Sequence, residues 1–309
     1  MGESLDKENL TEKKEPIKKE KKMKENKKKN KQVPTFLSFL KKSLLKLCSN
    51  IISLFILIIF ICILIFCSTN FIKTKDIEVS VKQLNDLKIV QLSDFNNRTI
   101  KNLSEKINDM NPDIVCITGD LVDEYKTSEI DENVLIKQFV GIKAPIYFAP
   151  GDMEHGYKNY ENFKEKLEKK NIHVLENKTE EIKIHSNTYK ITGIVDSSFY
   201  YEDLDTWNKQ LKKLKESDTQ ILLSHRSELM NLYIENGYKF VLSGHTHGGY
   251  IKFPFVGAIF VSNQGVMPQY VDGVYKKHGT TMIVSSGIGV GQFPFRLFSL
   301  PKILNIHVK

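Results

Sequence analysis

Between Lys46 and Lys73 the sequence holds no charged residue, and Ile51–Cys67, IISLFILIIFICILIFC, is apolar throughout apart from Ser53. A backbone in hydrocarbon must satisfy every N–H and C=O internally, which confines such a stretch to a helix. About 20 residues cross the hydrocarbon layer, and residues 47–72 supply that length with room to tilt. A cleaved signal peptide is the rival reading, but the long lead, the long apolar core and the lack of an A-x-A-like site argue against it. Bulky Phe66 before Cys67 also makes a poor lipoprotein signal. The chain is therefore expected to comprise a disordered, Lys-rich cytoplasmic tail (1–46), a transmembrane helix (47–72) and a globular domain (75–309).

The formal charge of +8 belongs to that tail. Residues 1–46 hold 15 Lys against 7 acidic residues, and the remainder is balanced. A tail so poor in apolar residues cannot bury enough surface to fold. The balance beyond it leaves no basic face for nucleic acid, and no nucleic-acid partner is expected. Lys clusters beside a membrane attract anionic lipid heads and stay on the cytoplasmic side. The expected location is the cell membrane, single-pass, with the N-terminus cytoplasmic and the globular domain extracytoplasmic. Three of the four cysteines (Cys48, Cys62, Cys67) lie in or beside the span. Cys116 alone remains for the outer domain, which excludes a disulfide framework or a cysteine metal site there.

From residue 75 on, short β-type runs alternate with amphipathic helical ones. Strand patterns fall at 87–94, 113–120, 145–152, 181–185, 188–195, 219–225, 239–247, 258–262, 280–285 and 303–308. Helical patterns fall near 99–110, 129–141, 160–171, 203–215 and 227–235. Such alternation predicts an α/β fold with helices covering layered sheets. In such sheets ligands gather at the carboxyl ends of the strands. Five strand patterns end in Asp94, Asp120, Asp152, His225 and the pair His245/His247. One such ending is an ordinary turn or a hydrogen-bonded core histidine. Five together predict a site. His-x-His on extended chain points both rings to one side, and the glycines of GHTHGG let a backbone approach closely.

In this order the pieces resemble the calcineurin-like metallophosphoesterases, whose run is D-x-H, GD, GNH[DE], a strand-end H and GHxH. The resemblance covers nearly all of residues 87–309, and the ending SSGIGVGQFPFRLFSLPKILNIHVK is similar to that of the bacterial subgroup that is membrane-anchored or exported. It implies a layered β-sandwich flanked by helices and two divalent ions (Mn, Fe or Zn by their donor set) that activate a water against a phosphate-ester substrate. By position Asp120 bridges the ions, Asp94, Asn96 and His247 hold the first, and Asp152, His225 and His245 hold the second.

Three positions depart from the family pattern. Asn96 stands where D-x-H has its histidine, so an amide carbonyl replaces an imidazole. Asp152 replaces an asparagine ligand. Met153 occupies the place of the histidine that assists the leaving group, and a thioether cannot donate a proton. His155 could substitute if the loop is locally extended, because side chains two apart then share a direction.

Other readings fail on context. GIGVGQ (287–292) opens no helix, which removes a dinucleotide-binding loop. Ser224 and His225 are strand neighbours facing opposite ways, which removes a serine nucleophile. Trp207, Phe293, Phe295 and Phe298 are expected to pack, with 292–300 able to rest on a membrane surface. Two functions follow: an anchored metal-dependent phosphoesterase hydrolysing phosphomono- or phosphodiester bonds, with the changes at 96 and 153 working against its rate, or a metal-binding pseudoenzyme serving as a ligand- or partner-binding module at the membrane.

Overall fold

The computed structural model describes residues 35–84, 86–129, 131–261, 264–291 and 293–309. The chain divides into two compact units, the first ending at Ile61 and the second running from Cys62 to the C-terminus. Phe36–Asn70 is one helix, long and apolar enough to cross a membrane. At about 1.5 Å per residue it is about 52 Å long, well beyond a hydrocarbon core of about 30 Å. It starts eleven residues before the expected 47, so residues 36–46 of the expected disordered tail are helical. Leu, Phe and Lys are adequate helix formers, and no Pro or Gly follows Pro34 until the helix is complete. Positions 1–34 of that tail lie outside the described residues.

In the second unit the strands are, in chain order, β1 (Lys73–Val79), β2 (Leu87–Leu92), β3 (Ile114–Thr118), β4 (Ile146–Ala149), β5 (Ile172–Val174), β6 (Lys178–Ile184), β7 (Asn187–Gly193), β8 (Gln220–Arg226) and β9 (Phe240–Gly244). Four two-residue strands follow, β10 (Lys252–Phe253), β11 (Gly257–Ala258), β12 (Phe260–Val261) and β13 (Gly265–Val266), then β14 (Gly273–Lys277), β15 (Thr280–Val284) and β16 (Lys302–Val308). Twelve of them build two six-stranded sheets, ordered β1-β16-β2-β3-β4-β5 and β14-β15-β9-β8-β7-β6, and β10–β11 and β12–β13 form two separate hairpins.

Apolar residues on alternate positions set the layers. Ile89, Cys116, Tyr147 and Leu304 of one sheet face Ile191, Leu223, Leu242 and Ile283 of the other across the central core. The opposite pleat of the first sheet (Val90, Val115, Phe148) packs under Leu103, Ile107, Phe163 and Leu167 of its helices. The outer pleat of the second (Leu222, Val241, Met282) packs under Trp207, Leu211 and Tyr233. Helix, sheet, sheet, helix is the expected four-layer α/β sandwich. Strands β2 to β5 run parallel, as do β7, β8, β9 and β15.

Trp207 is fully buried, and its indole Nε1–H donates to Val195 O at 2.8 Å. Trp207→Ala is expected to lose about 3–5 kcal/mol of stability from cavity formation, with the orphaned carbonyl adding to the loss. The midpoint and slope of a denaturant unfolding curve check this. A change below about 1 kcal/mol would mean that the outer layer is not packed as described.

Candidate metal centre

The carboxyl ends of β2, β3, β4, β8 and β9 meet at one edge of the sandwich. Asp94 and Asn96 follow β2, Asp120 follows β3, Asp152 follows β4, His225 lies within β8, and His245 and His247 follow β9. Asp120, Asp152, His225 and His245 each offer a ligand atom within 4.8 Å of the others, as do Asp94, Asp120 and His247. Asp120 belongs to both groups. These residues are buried except Asp152, which is partly exposed.

The backbone is bent to achieve this. Asp94, Asn96, Asp120, His245 and His247 all have positive φ, between 46° and 70°. Asp, Asn and His tolerate the left-handed region better than other L-residues, yet each such position costs free energy and such strain clusters at functional sites. The expected extended His-x-His is therefore corrected. β9 ends at Gly244 and a 3-10 turn begins at His247, so the two rings go to different groups. A shift in the β8–β9 register between Leu223 and Arg226 is a bulge, the device that re-aims a strand side chain. Glycine backbone admits the ligands: a Cβ on Gly119 (φ +90°) would lie 2.3 Å from His225 Nδ1, and one on Gly287 (φ +69°) would lie 2.6 Å from Asp94 Cβ.

The first of these groups fits a divalent cation. His225 Nδ1 contacts Thr118 O at 2.6 Å, and a carbonyl only accepts, so Nδ1 carries the proton. Its Nε2 lies 3.2 Å from Asp120 Oδ2 and 3.1 Å from Asp152 Oδ1. Neither Nε2 nor Asp152 Oδ1 makes a hydrogen bond of acceptable geometry. A ring nitrogen fixed by a carbonyl behind it and aimed at carboxylates is the arrangement of a metal-ligating histidine. His245 Nδ1 approaches Asp152 Oδ1 at 3.0 Å.

The ionisation states show the electrostatic tension within the site. Burial, then the Asp152 charge, lifts Asp120 well above the usual carboxylate range. Burial acts the same way on Asp152, but the His245 and His225 rings outweigh it and hold that carboxyl well below the range. Burial lowers His245, and Asp152 more than reverses this, leaving it at about 9. Asp152 is held ionised by positive rings and Asp120 is not, and a cation would supply the charge that Asp120 lacks.

The Asp94/Asp120/His247 group fits less well. Arg296, fully buried, donates to Gly289 O, His247 O and Ser286 O, and its Nη2 lies 3.2 Å from His247 Nδ1. A guanidinium only donates, so Nδ1 accepts and a neutral His247 ring carries its proton on Nε2. That nitrogen faces Asp94 Oδ1 at 3.6 Å and must lose its proton before it can ligate. Asn96 is buried, with neither atom of its amide hydrogen-bonded. Such an amide is costly unless something engages it.

The extended loop that would let His155 substitute for Met153 is not formed, because Asp152–Gly156 is a helical turn. Residues two apart on a helix face different ways. Met153 is buried, while the His155 ring is exposed and packs on Phe199, with ring centroids 5.0 Å apart. Both still line a cavity of about 260 Å³ together with Asp120, Asp152, His245 and His247.

Four further side chains shape the site, and only one of them carries a mark in the sequence. Glu154 is fully buried and accepts the N–H groups of Asp120, Leu121, Val122 and Gly151 at 2.7–3.2 Å, fixing the backbone that carries Asp120. Its signal is present but was not among the expectations: G-x-x-E is half of a capping box. Arg226 lines the cavity and is clamped by Asp196 at 2.8–3.0 Å and Glu202 at 2.7 Å. Tyr250 stacks on His247 with centroids 4.8 Å apart. Arg296 is the fourth. None of the last three has a local sequence signal.

The fold and site together define an α/β sandwich that gathers carboxylates and imidazoles for divalent cations at the carboxyl edge of two parallel strand sets. The profile of the calcineurin-like phosphoesterases matches residues 83–249, and the chain belongs to that family. It is 29% identical over 240 residues to an uncharacterised Bacillus subtilis protein, covering 75% of this chain and 85% of that one. A Campylobacter jejuni metallophosphoesterase, also uncharacterised, is 31% identical over 261 residues, covering 78% of this chain and 65% of its own. A zebrafish (Danio rerio) transmembrane protein with a metallophosphoesterase domain is 27% identical over 261 residues, with 77% and 57% covered. Among solved structures, the NAD nucleotidase of Haemophilus influenzae superimposes with a TM-score of 0.46 at 15% identity, over 65% of this chain and 45% of that one.

Proposed function

We propose that this chain is a membrane-anchored, metal-dependent phosphoesterase whose globular domain lies outside the cytoplasm, beyond a single span and a Lys-rich tail that meets anionic lipid heads. The observation that carries the reading is the meeting of Asp120, Asp152, His225 and His245, drawn from four separate strands, with their ligand atoms within 4.8 Å. Asp152, His225 and His245 would hold one ion, Asp94, Asn96 and His247 a second, and Asp120 both. When bound, such ions (Mn, Fe or Zn suit the donors) activate a water and neutralise phosphate charge. The rest falls to the chain. Glu154 sets the backbone of Asp120–Val122. Arg226, oriented by Asp196 and Glu202, presents a fixed positive charge at the cavity wall for the ester phosphate. Tyr250 covers His247 and limits water there.

A second reading, a metal-binding pseudoenzyme, is favoured by one observation: the buried Met153 thioether lines the cavity where the family histidine would stand. The two readings separate on one experiment. The full chain in detergent is analysed for bound metal by mass spectrometry, then given chromogenic phosphomonoesters and phosphodiesters with Mn or Zn. Metal binding with turnover is expected. Bound metal without turnover would select the pseudoenzyme, and a metal-free protein under replete conditions would remove both.

The two ion positions are expected to differ in strength, because Asn96 supplies a weaker donor and Arg296 disfavours the ligating form of His247. Asn96→His is expected to tighten the weaker position by about 10–100-fold, the scale on which single coordinating partners act. Titration with Mn followed by electron paramagnetic resonance reads it directly. An unchanged isotherm would remove residue 96 from the coordination set.

A further inference from the structure

We infer that the double hairpin β10–β13, with Phe298 beside it, is a membrane-docking surface whose occupant is the lipid bilayer that the apolar helix crosses. The segment between Tyr250 and Tyr270 leaves the sandwich and exposes Phe253, Phe255, Val256, Phe260, Val266 and Met267. A soluble surface rarely clusters apolar side chains this densely without a partner. The segment is also strained in a way a simple turn would avoid. Phe255, fully exposed at the tip of the first hairpin, has φ +68°, and Met267, just past β13, has φ +56°. Gly or Asn would serve there at lower conformational cost. Bulky apolar side chains held at left-handed positions point to a demand on the side chain itself.

What covers them follows from where the hairpins are tied. Lys252 N–H donates to Leu297 O at 2.9 Å, and Leu297 N–H to Tyr250 O at 2.7 Å. The next residue, Phe298, donates its N–H to Ser68 Oγ at 3.1 Å, and Arg296 N–H donates to Thr69 Oγ1 at 2.9 Å. Arg98 adds Thr69 O at 2.8 Å and Asn70 O at 3.0 Å. Ser68 is buried in this clasp. The hairpins are thus bound, through one strand of backbone, to the last turn of the helix, where that helix leaves hydrocarbon. Apolar side chains fixed at that level meet the headgroup and acyl boundary first. The catalytic reading is not needed for this. Its consequence for the site is spatial: Tyr250, in the cavity wall, stands two residues before β10, so the cavity wall and the docking face share one stretch of backbone.

The test uses the full chain in phosphatidylcholine nanodiscs whose acyl chains carry bromine, a contact quencher of indole. Phe255→Trp places a reporter on the hairpin tip and Val140→Trp places one on the exposed end of the helical layer. The wild type, whose one tryptophan is Trp207, is subtracted from each. An interfacial apolar face sits about 5–10 Å into the headgroup and acyl boundary. The emission of the indole at position 255 is therefore expected to fall about twofold, while that of the indole at position 140 is unaffected. A position-255 indole that stays unquenched with a water-like emission maximum overturns the inference. So does one that is blue-shifted, unquenched and dependent on protein-to-disc ratio, since a second copy then covers the patch. Thermal unfolding followed at Trp207 reports whether each variant is folded. Should Phe255→Trp fail to fold, Val266→Trp puts the reporter on the second hairpin, where quenching supports the inference and water-like emission overturns it.

Discussion

Asp120→Asn is expected to abolish binding of both ions and to lower phosphate-ester turnover by about 10³-fold or more, the loss of several kcal/mol of metal-supplied stabilisation. Asp120 is the one side chain common to both ligand groups, so removing its charge weakens both at once. The substitution leaves the fold in place. Asn keeps an oxygen that can accept the Met153 N–H, which Asp120 Oδ1 now holds at 3.1 Å, and the backbone N–H of residue 120 still reaches Glu154 at 2.8 Å. In metal-free protein the sign of the stability change reverses. Asp120 has its carboxyl raised by burial and by Asp152, so the folded state holds that proton more tightly than the unfolded chain. Its contribution is present below the ordinary carboxylate range and is lost as pH rises through the raised folded value. With chelator at neutral pH the variant is therefore expected to melt above the wild type. With metal added, only the wild type gains, by mass action. A variant that retained both ions would remove Asp120 from its central position.

The parts of this fold that could be read in sequence are those whose burial writes a local pattern. LKIVQL, DIVCIT and KFVLSG are covered on both faces, and so are continuous apolar runs that end abruptly in acids or histidines. The strands that could not be read are held by distant partners. β1 carries four exposed positions out of seven, and it exists because β16, from the far end of the chain, slots between it and β2. The expected strand at 258–262 breaks into separate two-residue pieces, because Phe260 faces outward and the segment has no sheet to join. The clustering of these acids and imidazoles was legible for a simple reason: at strand ends they have no packing use. The order of the rings was not, since His245 and His247 take left-handed backbone that no pattern announces. Arg296 lies 49 residues from the ring it touches. Its effect on His247 belongs to the folded molecule alone.

Met153→His is expected to raise turnover by about 10²–10⁴-fold, the contribution of a placed general acid, and only for esters with poor leaving groups. An aryl ester such as a nitrophenyl phosphate departs as a stabilised anion and needs no proton, so its rate is expected to change little. An alkyl ester needs one. The Met153 position offers no donor: its thioether is buried in the cavity wall, and His155, which lines the same cavity, leaves from another side of the helical turn with its ring on Phe199. His155→Ala is accordingly expected to leave both esters unaffected. The position can receive an imidazole, because Met and His have similar volume and the backbone there is already held by Asp120. The diagnostic is thus a ratio, alkyl over aryl turnover, which a merely structural change would not move. A wild type that already cleaves alkyl and aryl esters at similar rates would show that another group protonates the leaving oxygen. A variant inactive on both, with its ions bound, would show that the missing acid is not what separates this chain from an efficient hydrolase, and binding without chemistry would then be the better account of the site.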